Sequence, residues 1–207
     1  MSSNFDSDLS YSNKEKDQRL VELQSLFEMS QVLNSSLNIS SVLNNILLTP
    51  MGRMMISRGM VMVISENGSY NIEALKGLDR DLVGKKVYFD GDCAKPMLVR
   101  DIDENDCPQK DFFVGHKIEL VLPILSTNRS VGLLCLGQKL GGLSFADSEI
   151  DFLSSLSNIA ATSIENALMY RKLEKVNRQL DKKVQELNTL FEIGQELNST
   201  LETERIV

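Results

Sequence analysis

The chain begins with an apolar stripe that predicts a helix. From Leu20, apolar side chains recur at steps of three and four residues or their sums, as on one face of an amphipathic helix. The stripe comprises Leu20, Leu23, Phe27, Leu33 and Leu37. Polar residues 38–41 interrupt it, and residues 42–55 predict a second helix. Residues 1–19 lack apolar periodicity and are rich in Ser, Asn and Asp, so we expect a disordered leader.

Two hairpins are predicted in the centre of the chain. Residues 60–64 form a continuous apolar run, typical of a strand buried on both faces, and residues 70–74 alternate between apolar and polar. Asn67 and Gly68 separate these runs and tolerate the positive backbone angles of a tight turn. Residues 118–124 alternate in the same way, and after a turn the apolar run 131–136 returns. This pattern predicts an α+β fold with a central antiparallel sheet and flanking helices.

The segment between the hairpins and the segment after them differ sharply in regularity. Residues 79–117 show only short apolar pieces among polar residues, and a long irregular insert in a folded domain favours a binding loop. From about Asp147 the chain is predicted to be helical, with no Pro or Gly before Gly194. Helices of ordinary globular domains are much shorter.

The long helix carries a heptad pattern from Ile159 onward. Apolar residues at a and d positions form a seam that needs a partner, and an Asn at an a position favours in-register parallel pairing with its own copy. The predicted interface comprises Tyr170, Leu173, Asn177, Leu180, Val184, Leu187 and Phe191. We therefore expect a parallel homodimer. The alternative is that this helix folds back on residues 20–37 of the same chain.

Residues 23–37 and 187–201 form an internal repeat. Nine of the fifteen positions are identical at a constant offset of 164. Two generic amphipathic helices would share leucines, but here Phe27, Gln31 and Asn34 recur as well. The repeat predicts that a second copy of the module begins near the end of the sequence, so Val207 is expected to be a truncation point in a longer protein.

Composition and charge narrow the possible partners and compartment. With 29 acidic and 22 basic residues the net charge is −7, which disfavours nucleic acid and anionic membranes. Arg53 and Arg58 interrupt the most apolar region, and the first residues lack the basic end and apolar centre of a secretion signal. We expect a cytoplasmic protein. Cys93, Cys107 and Cys135 have no paired spacing, so reduced thiols are expected.

Several motifs in the second half resemble those of GAF domains. These motifs are Leu122-Pro123-Ile124, residues 131–134, Phe145 with Asp147 and Glu149, and residues 164–170. Residues 26–37 are similar to the lead-in helix of that family. The resemblance implies a GAF-like domain over residues 20–170, with helices on one side of the sheet and a small-molecule pocket on the other. Residues 171–207 would then be a coiled-coil linker and the start of a second repeat.

The resemblance also implies a role. GAF domains occur in repeated arrays upstream of histidine kinase, cyclase or phosphatase output domains of bacterial signalling proteins. We expect a non-catalytic module that senses a small molecule or a partner, dimerises and relays a signal through its helices to a downstream domain. The competing possibility is a dimerising spacer whose pocket is closed and empty.

The candidate ligand site combines the middle segment with the hairpins. We expect residues 88–116 to cover one face of the sheet and to wall a pocket. The candidate lining residues are Met62, Leu75, Tyr88, Asp101, Phe112, His116 and Leu134. The chain lacks the Asn-Lys-Phe-Asp-Glu signature of cyclic-nucleotide-binding members, and Asp101-Ile102 is not followed by the Pro of bilin-binding members. No cofactor is predicted, and the ligand is unknown.

The residues that carry chemistry argue against an enzyme. His116 is the only histidine, and no serine lies in a nucleophile-elbow motif, so a hydrolase is excluded. The acidic residues around Asp101 lack the Gly and the closing Glu of a calcium loop, so no metal site is expected. Two alternatives remain open: a haem-based gas sensor that uses His116, and a methionine sulfoxide reductase-like enzyme that uses Cys93.

Overall fold

The computed structural model of the protein describes residues 20–21, 23–65, 67–88, 94–102, 110–127 and 129–204, with side chains of the last helix described as far as residue 194. The predicted leader, Cys93 and Cys107 lie outside these ranges. The chain divides into two compact units, Met1–Ala167 and Leu168–Val207. In the described ranges, no helix is both long and apolar enough to cross a membrane.

Within the first unit the described residues contain six strands, which form one antiparallel sheet in the order β3-β2-β1-β6-β5-β4. The strands are β1 (Gly59–Ile64), β2 (Tyr70–Lys76), β3 (Lys86–Val87), β4 (Met97–Leu98), β5 (Ile118–Ser126) and β6 (Arg129–Gly137). The two predicted hairpins are β1–β2 and β5–β6, and they meet where β1 pairs with β6. The predicted α+β class with a central antiparallel sheet is thus confirmed.

Four α-helices accompany the sheet in the described ranges. They are α1 (residues 23–34), α2 (Ile39–Arg53), α3 (Lys110–Gly115) and α4 (Asp147–Glu204). Helix α2 begins three residues earlier than predicted because Asn38 caps it: its Oδ1 accepts hydrogen bonds from the backbone N–H groups of Ser40 and Ser41, at 2.9 and 3.3 Å. The uninterrupted helix predicted from Asp147 is observed.

One face of the sheet, the helix face, is covered by α2 and by the first part of α4. Helix α2 contacts β1 and β2, and its apolar residues Val42, Ile46 and Leu47 are fully buried. Residues 152–167 of α4 contribute a second buried apolar row. Helix α1 joins this layer through Asn34, whose Oδ1 accepts a hydrogen bond from Ser163 Oγ at 2.8 Å. The opposite face is therefore left for the middle segment.

Candidate functional site

The face of the sheet opposite the helices, called here the covered face, holds a buried apolar cluster. It is built from alternate residues of the central strands and from the middle segment that crosses them. Its members are Met60, Met62, Tyr70, Ile72, Leu82, Val87, Val99, Ile102, Phe113, Ile118, Val121, Leu133 and Cys135. Five of the six strands contribute to this cluster. Each of these side chains is 6% exposed or less, so the covered face is a closely packed apolar layer.

The irregular middle segment, residues 79–117, covers this face with a short 3-10 helix (Val99–Asp101) and with α3. Val99 and Ile102, at the start and just past the end of that 3-10 helix, are buried, and Phe113 of α3 is fully buried. Phe112 is half-buried and packs edge-on against Phe113, with ring centroids 5.7 Å apart. Val99, Ile102 and Phe113 therefore pack over the sheet, and the pocket wall expected from residues 88–116 stays a prediction.

His116 lies at the end of α3, at the edge of the covered face. Its Nδ1 is 2.6 Å from the carbonyl oxygen of Phe112, and its ring centroid is 4.4 Å from that of Phe112. Because a carbonyl oxygen only accepts, Nδ1 is the protonated atom in this contact. Nε2 is then the ring atom that could bind a ligand or iron. Among the described residues, no group of three or more His, Cys, Asp or Glu is placed to hold a metal ion.

The structure brings four of the seven candidate ligand residues together. Met62 belongs to the buried cluster, Leu75 and Phe112 pack against it, and His116 contacts Phe112. Leu75 reaches this face because a β-bulge between the pairs Val61–Ala74 and Met62–Ile72 shifts the alternation of β2.

The other three candidates lie elsewhere. Leu134 is buried on the helix face, because its neighbours Leu133 and Cys135 belong to the covered face and strand side chains alternate. Tyr88 is 53% exposed, just after β3. The side chain of Asp101 is 68% exposed, and its Oδ1 lies 3.7 Å from Arg100 Nε. Solvent, rather than the covered face, surrounds most of these two polar side chains.

Tyr70 is the residue that sequence reasoning missed. It is buried in the apolar cluster, and its hydroxyl oxygen lies 3.1 Å from Ser130 Oγ on β6. A buried tyrosine usually directs its hydroxyl to a partner. The alternation of residues 70–74 was the available signal, since it placed Tyr70 on the same face as Ile72. Tyr70 thus connects the covered face to the start of β6.

The turn between β5 and β6 is fastened to α4 by one carboxylate. Ser126 Oγ donates a hydrogen bond to Glu165 Oε2, and Arg129 Nη2 lies beside Glu165 Oε1, both at 2.5 Å. The hydrogen bond from Ser126 and the charged bond from Arg129 outweigh burial and lower the pKa of Glu165. Glu165 is therefore ionised at neutral pH and holds the turn to the helix.

The second unit presents an exposed apolar stripe. All seven residues of the predicted dimer seam, from Tyr170 to Phe191, are solvent-exposed in the single chain. Met169, Val176 and Leu190 are also exposed and occupy the adjoining g positions, which the heptad assignment had not included. The apolar stripe is thus wider than a two-position seam. A stripe of large apolar side chains over several turns marks an interaction surface.

Comparisons with known proteins agree with this architecture. The family model described as GAF domain matches residues 41–164. The structure is similar to the GAF domain of a Coxiella burnetii phosphoenolpyruvate-protein phosphotransferase, with a TM-score of 0.58, 21% identity, and coverage of 73% of this chain and 96% of that one. A comparison with curated protein sequences gives no match.

Two further solved structures share the fold. The GAF domain of an Acinetobacter phosphoenolpyruvate-protein phosphotransferase has a TM-score of 0.57 and 19% identity, covering 72% of this chain and 95% of that one. The second GAF domain of DevS from Mycobacterium smegmatis has a TM-score of 0.51 and 16% identity, covering 66% of this chain and 99% of that one. At these identities the likeness extends to the fold alone.

Proposed function

Because the chain belongs to the GAF domain family, we propose that it is a non-catalytic sensing module that binds a small molecule or a partner on the covered face. In this proposal the module acts as a cytoplasmic homodimer. It relays the bound state through α4 to a downstream output domain of the same longer protein. The ligand is held by the apolar cluster around Met62 and Phe113 and by the rim residues Phe112 and His116.

One observation carries this proposal: polar contacts link the covered face to the long helix. Tyr70, in the buried cluster, contacts Ser130 at the start of β6. The adjacent residue Arg129, together with Ser126, bonds Glu165 on α4. Glu165 lies less than one turn before residue 168, where the second unit begins, and the helix continues to Glu204. A change on the covered face therefore has a short route to the signalling helix.

The relay requires two conformations of the module, and the ligand must make different contacts with each of them. A ligand shifts a conformational equilibrium only by the difference between its affinities for the two conformations. A ligand that displaces Phe113 or Tyr70 would move β6 and its turn, and the charged bond to Glu165 would transmit that movement to α4. Packed helices respond to such inputs by small shifts or rotations rather than by continuous bending.

Dimerisation supplies the second part of the proposal. The exposed stripe on residues 169–193 would be covered by the same stripe of a second copy, and parallel pairing would deliver a movement to both output domains together. No specific observation favours the two alternative functions. Among the described residues, the thiol of Cys135 is fully buried.

The test of ligand binding is native mass spectrometry of the purified protein, with a variant on the rim of the covered face. We expect a non-covalent small molecule that is retained by the wild type and lost in Phe112→Ala. The matched control is Val114→Ala, because Val114 is on the same helix and is exposed. Equal retention in both variants would place the ligand elsewhere, and an empty wild type that also binds no compound in a ligand screen would favour the spacer.

The test of the relay is hydrogen exchange of Tyr70→Phe, which removes only the hydroxyl that contacts Ser130. We expect faster exchange at residues 126–130 and 160–167 than in the wild type, because the turn loses one of its links to the sheet. The control is Tyr88→Phe, since Tyr88 is exposed. Unchanged exchange at residues 160–167 in Tyr70→Phe contradicts the route.

A further inference from the structure

A pocket lies at the end of the sheet where β1 and β5 begin and β6 ends. Its volume is about 250 Å³, and it lies away from the covered face. It is lined by Ser57, Arg58, Lys117, Gln138, Lys139, Leu140, Gly141 and Gly142. Three of these residues are cationic, and no carboxylate is among the described residues that line the pocket, although the chain as a whole has a net charge of −7. The local charge is thus opposite to that of the chain.

Gly137 lets β6 pack closely between the two segments that carry Arg58 and Lys117. It lies between Arg58 of the segment before β1 and Lys117 of the segment before β5, and its N–H donates to the Arg58 carbonyl oxygen at 2.9 Å. A Cβ at this position would lie 3.1 Å from both Arg58 Cβ and the Lys117 carbonyl oxygen. Such contacts are tighter than ordinary packing, so a glycine keeps the backbones of the two segments close to β6.

The third cation is already neutralised, whereas the other two are not. Lys139 has a side chain only 11% exposed, and its Nζ bonds both oxygens of Glu149, at 2.7 and 3.0 Å. Within the described part of the chain, neither Arg58 nor Lys117 forms an ion pair with a carboxylate. The pocket therefore has two cationic side chains available to an anion.

Lys117 is held in an unusual backbone conformation. Its φ is 56°, in the left-handed region that costs a residue with a Cβ about 1–2 kcal/mol. A glycine would make the same turn without this cost. The sequence instead has a lysine, which supplies a charge at the mouth of the pocket.

We propose that this pocket binds the phosphate group of a small phosphorylated molecule. The planar guanidinium of Arg58 suits two-point bonding to phosphate oxygens, and Lys117 adds a point charge. The amide of Gln138 and the hydroxyl of Ser57 are further possible donors. Leu140 is exposed at the rim, where it would contact the organic part of a phosphate monoester. The site is separate from the proposed ligand site and would give the domain a second input.

The experiment is a titration of the whole chain with inorganic phosphate, followed by two-dimensional NMR and calorimetry. We expect saturable shifts confined to residues 57–58, 117 and 137–142. Arg58→Gln and Lys117→Gly should each weaken binding about tenfold or more, since each removes a charge-assisted hydrogen bond. Lys117→Gly should also keep or raise the unfolding midpoint because it relieves the positive φ, so loss of binding cannot be ascribed to misfolding.

Two parallel titrations, with glycerol 3-phosphate and with inorganic phosphate, identify the source of the phosphate. A control variant tests whether binding is specific to this pocket. Glycerol 3-phosphate binding more tightly than inorganic phosphate supports a phosphate monoester, whereas equal binding indicates free phosphate. Lys86→Gln removes an exposed lysine on β3 and should leave the affinity unchanged. Weak, non-saturating shifts at lysines over the whole surface, or equal losses in Lys86→Gln and Lys117→Gly, would overturn the proposal. A failure here leaves binding on the covered face untouched.

Discussion

Gly132 shows how closely the two hairpins pack at the level of one residue. It lies on β6 opposite Val63 of β1, and a Cβ there would be 2.2 Å from the Met62 carbonyl oxygen. Gly132→Ala should therefore separate the central strands and lower the free energy of unfolding by about 2–4 kcal/mol. Gly115→Ala is the matched control, because no atom lies within 4 Å of its added Cβ. Urea denaturation measures both, and similar losses in the two variants would contradict this account.

Single residues also show why the sequence could not predict every member of the candidate site. Leu133, Leu134 and Cys135 are all apolar and all buried, so their hydrophobicity does not tell which of them lie on the covered face. The bulge in β2 adds a similar ambiguity, because it moves Leu75 onto the covered face and Ala74 off it. Met62 was identified because it lies in the central strand and Phe112 because it lies in the irregular segment. Tyr70 was missed because its role depends on a partner 60 residues away.

At the level of elements, the link between the β5–β6 turn and α4 predicts a pH-dependent contribution to stability. Glu165 has its pKa lowered in the folded protein by Ser126 and Arg129. Its contribution is therefore fully present above the unfolded-state pKa and is lost as the pH falls through the folded-state pKa. Glu165→Gln should lower the free energy of unfolding by about 1 kcal/mol near pH 7, since Arg129 is largely exposed.

Denaturation over a falling pH series checks this prediction. The difference between wild type and Glu165→Gln should shrink as the wild-type carboxylate becomes protonated. Glu174→Gln is the control, because Glu174 has only a distant contact of 3.8 Å with Arg178 on the same exposed helix. A difference that stays constant to low pH would mean that the loss comes from packing rather than from the charge.

Whole elements could be predicted better than their ends. The two hairpins and the long helix follow from apolar periodicity, which reports burial directly. The start of α2 was placed too late because Asn38 to Ser41 were interpreted as an interruption, whereas Asn38 acts as the cap. The structure gives a physical reason for an Asn at position 34, which recurs in the repeat: its side chain joins α1 to α4 through a hydrogen bond from Ser163.

For the whole molecule, the arrangement separates two tasks. The described residues up to 167 form the covered face and the cationic pocket, and the large apolar side chains described between residues 169 and 193 are exposed. Helix α4 runs through both units without a break. The link at Glu165 lies next to this division.

The exposed seam on α4 gives the last prediction, a parallel homodimer. Leaving Leu173, Leu180, Val184 and Leu187 in water forfeits roughly 1.5–3 kcal/mol for each side chain that a partner helix could bury. Light scattering at micromolar concentration should give a dimeric mass for the wild type. Leu180→Asp with Leu187→Asp should give a monomer, because like charges would face each other across the seam.

The matched control is Gln179→Asp with Gln185→Asp, which adds the same charges on the outer face of the same helix and should leave the dimer intact. The variant Asn177→Cys tests the relative direction of the two helices. Only parallel, in-register helices bring the two copies of this residue close enough to form a disulfide. A wild-type monomer contradicts the dimer and favours folding back on residues 20–37. A dimer that survives Leu180→Asp with Leu187→Asp has its interface elsewhere, and the exposed residues of α1 would then be the next surface to test.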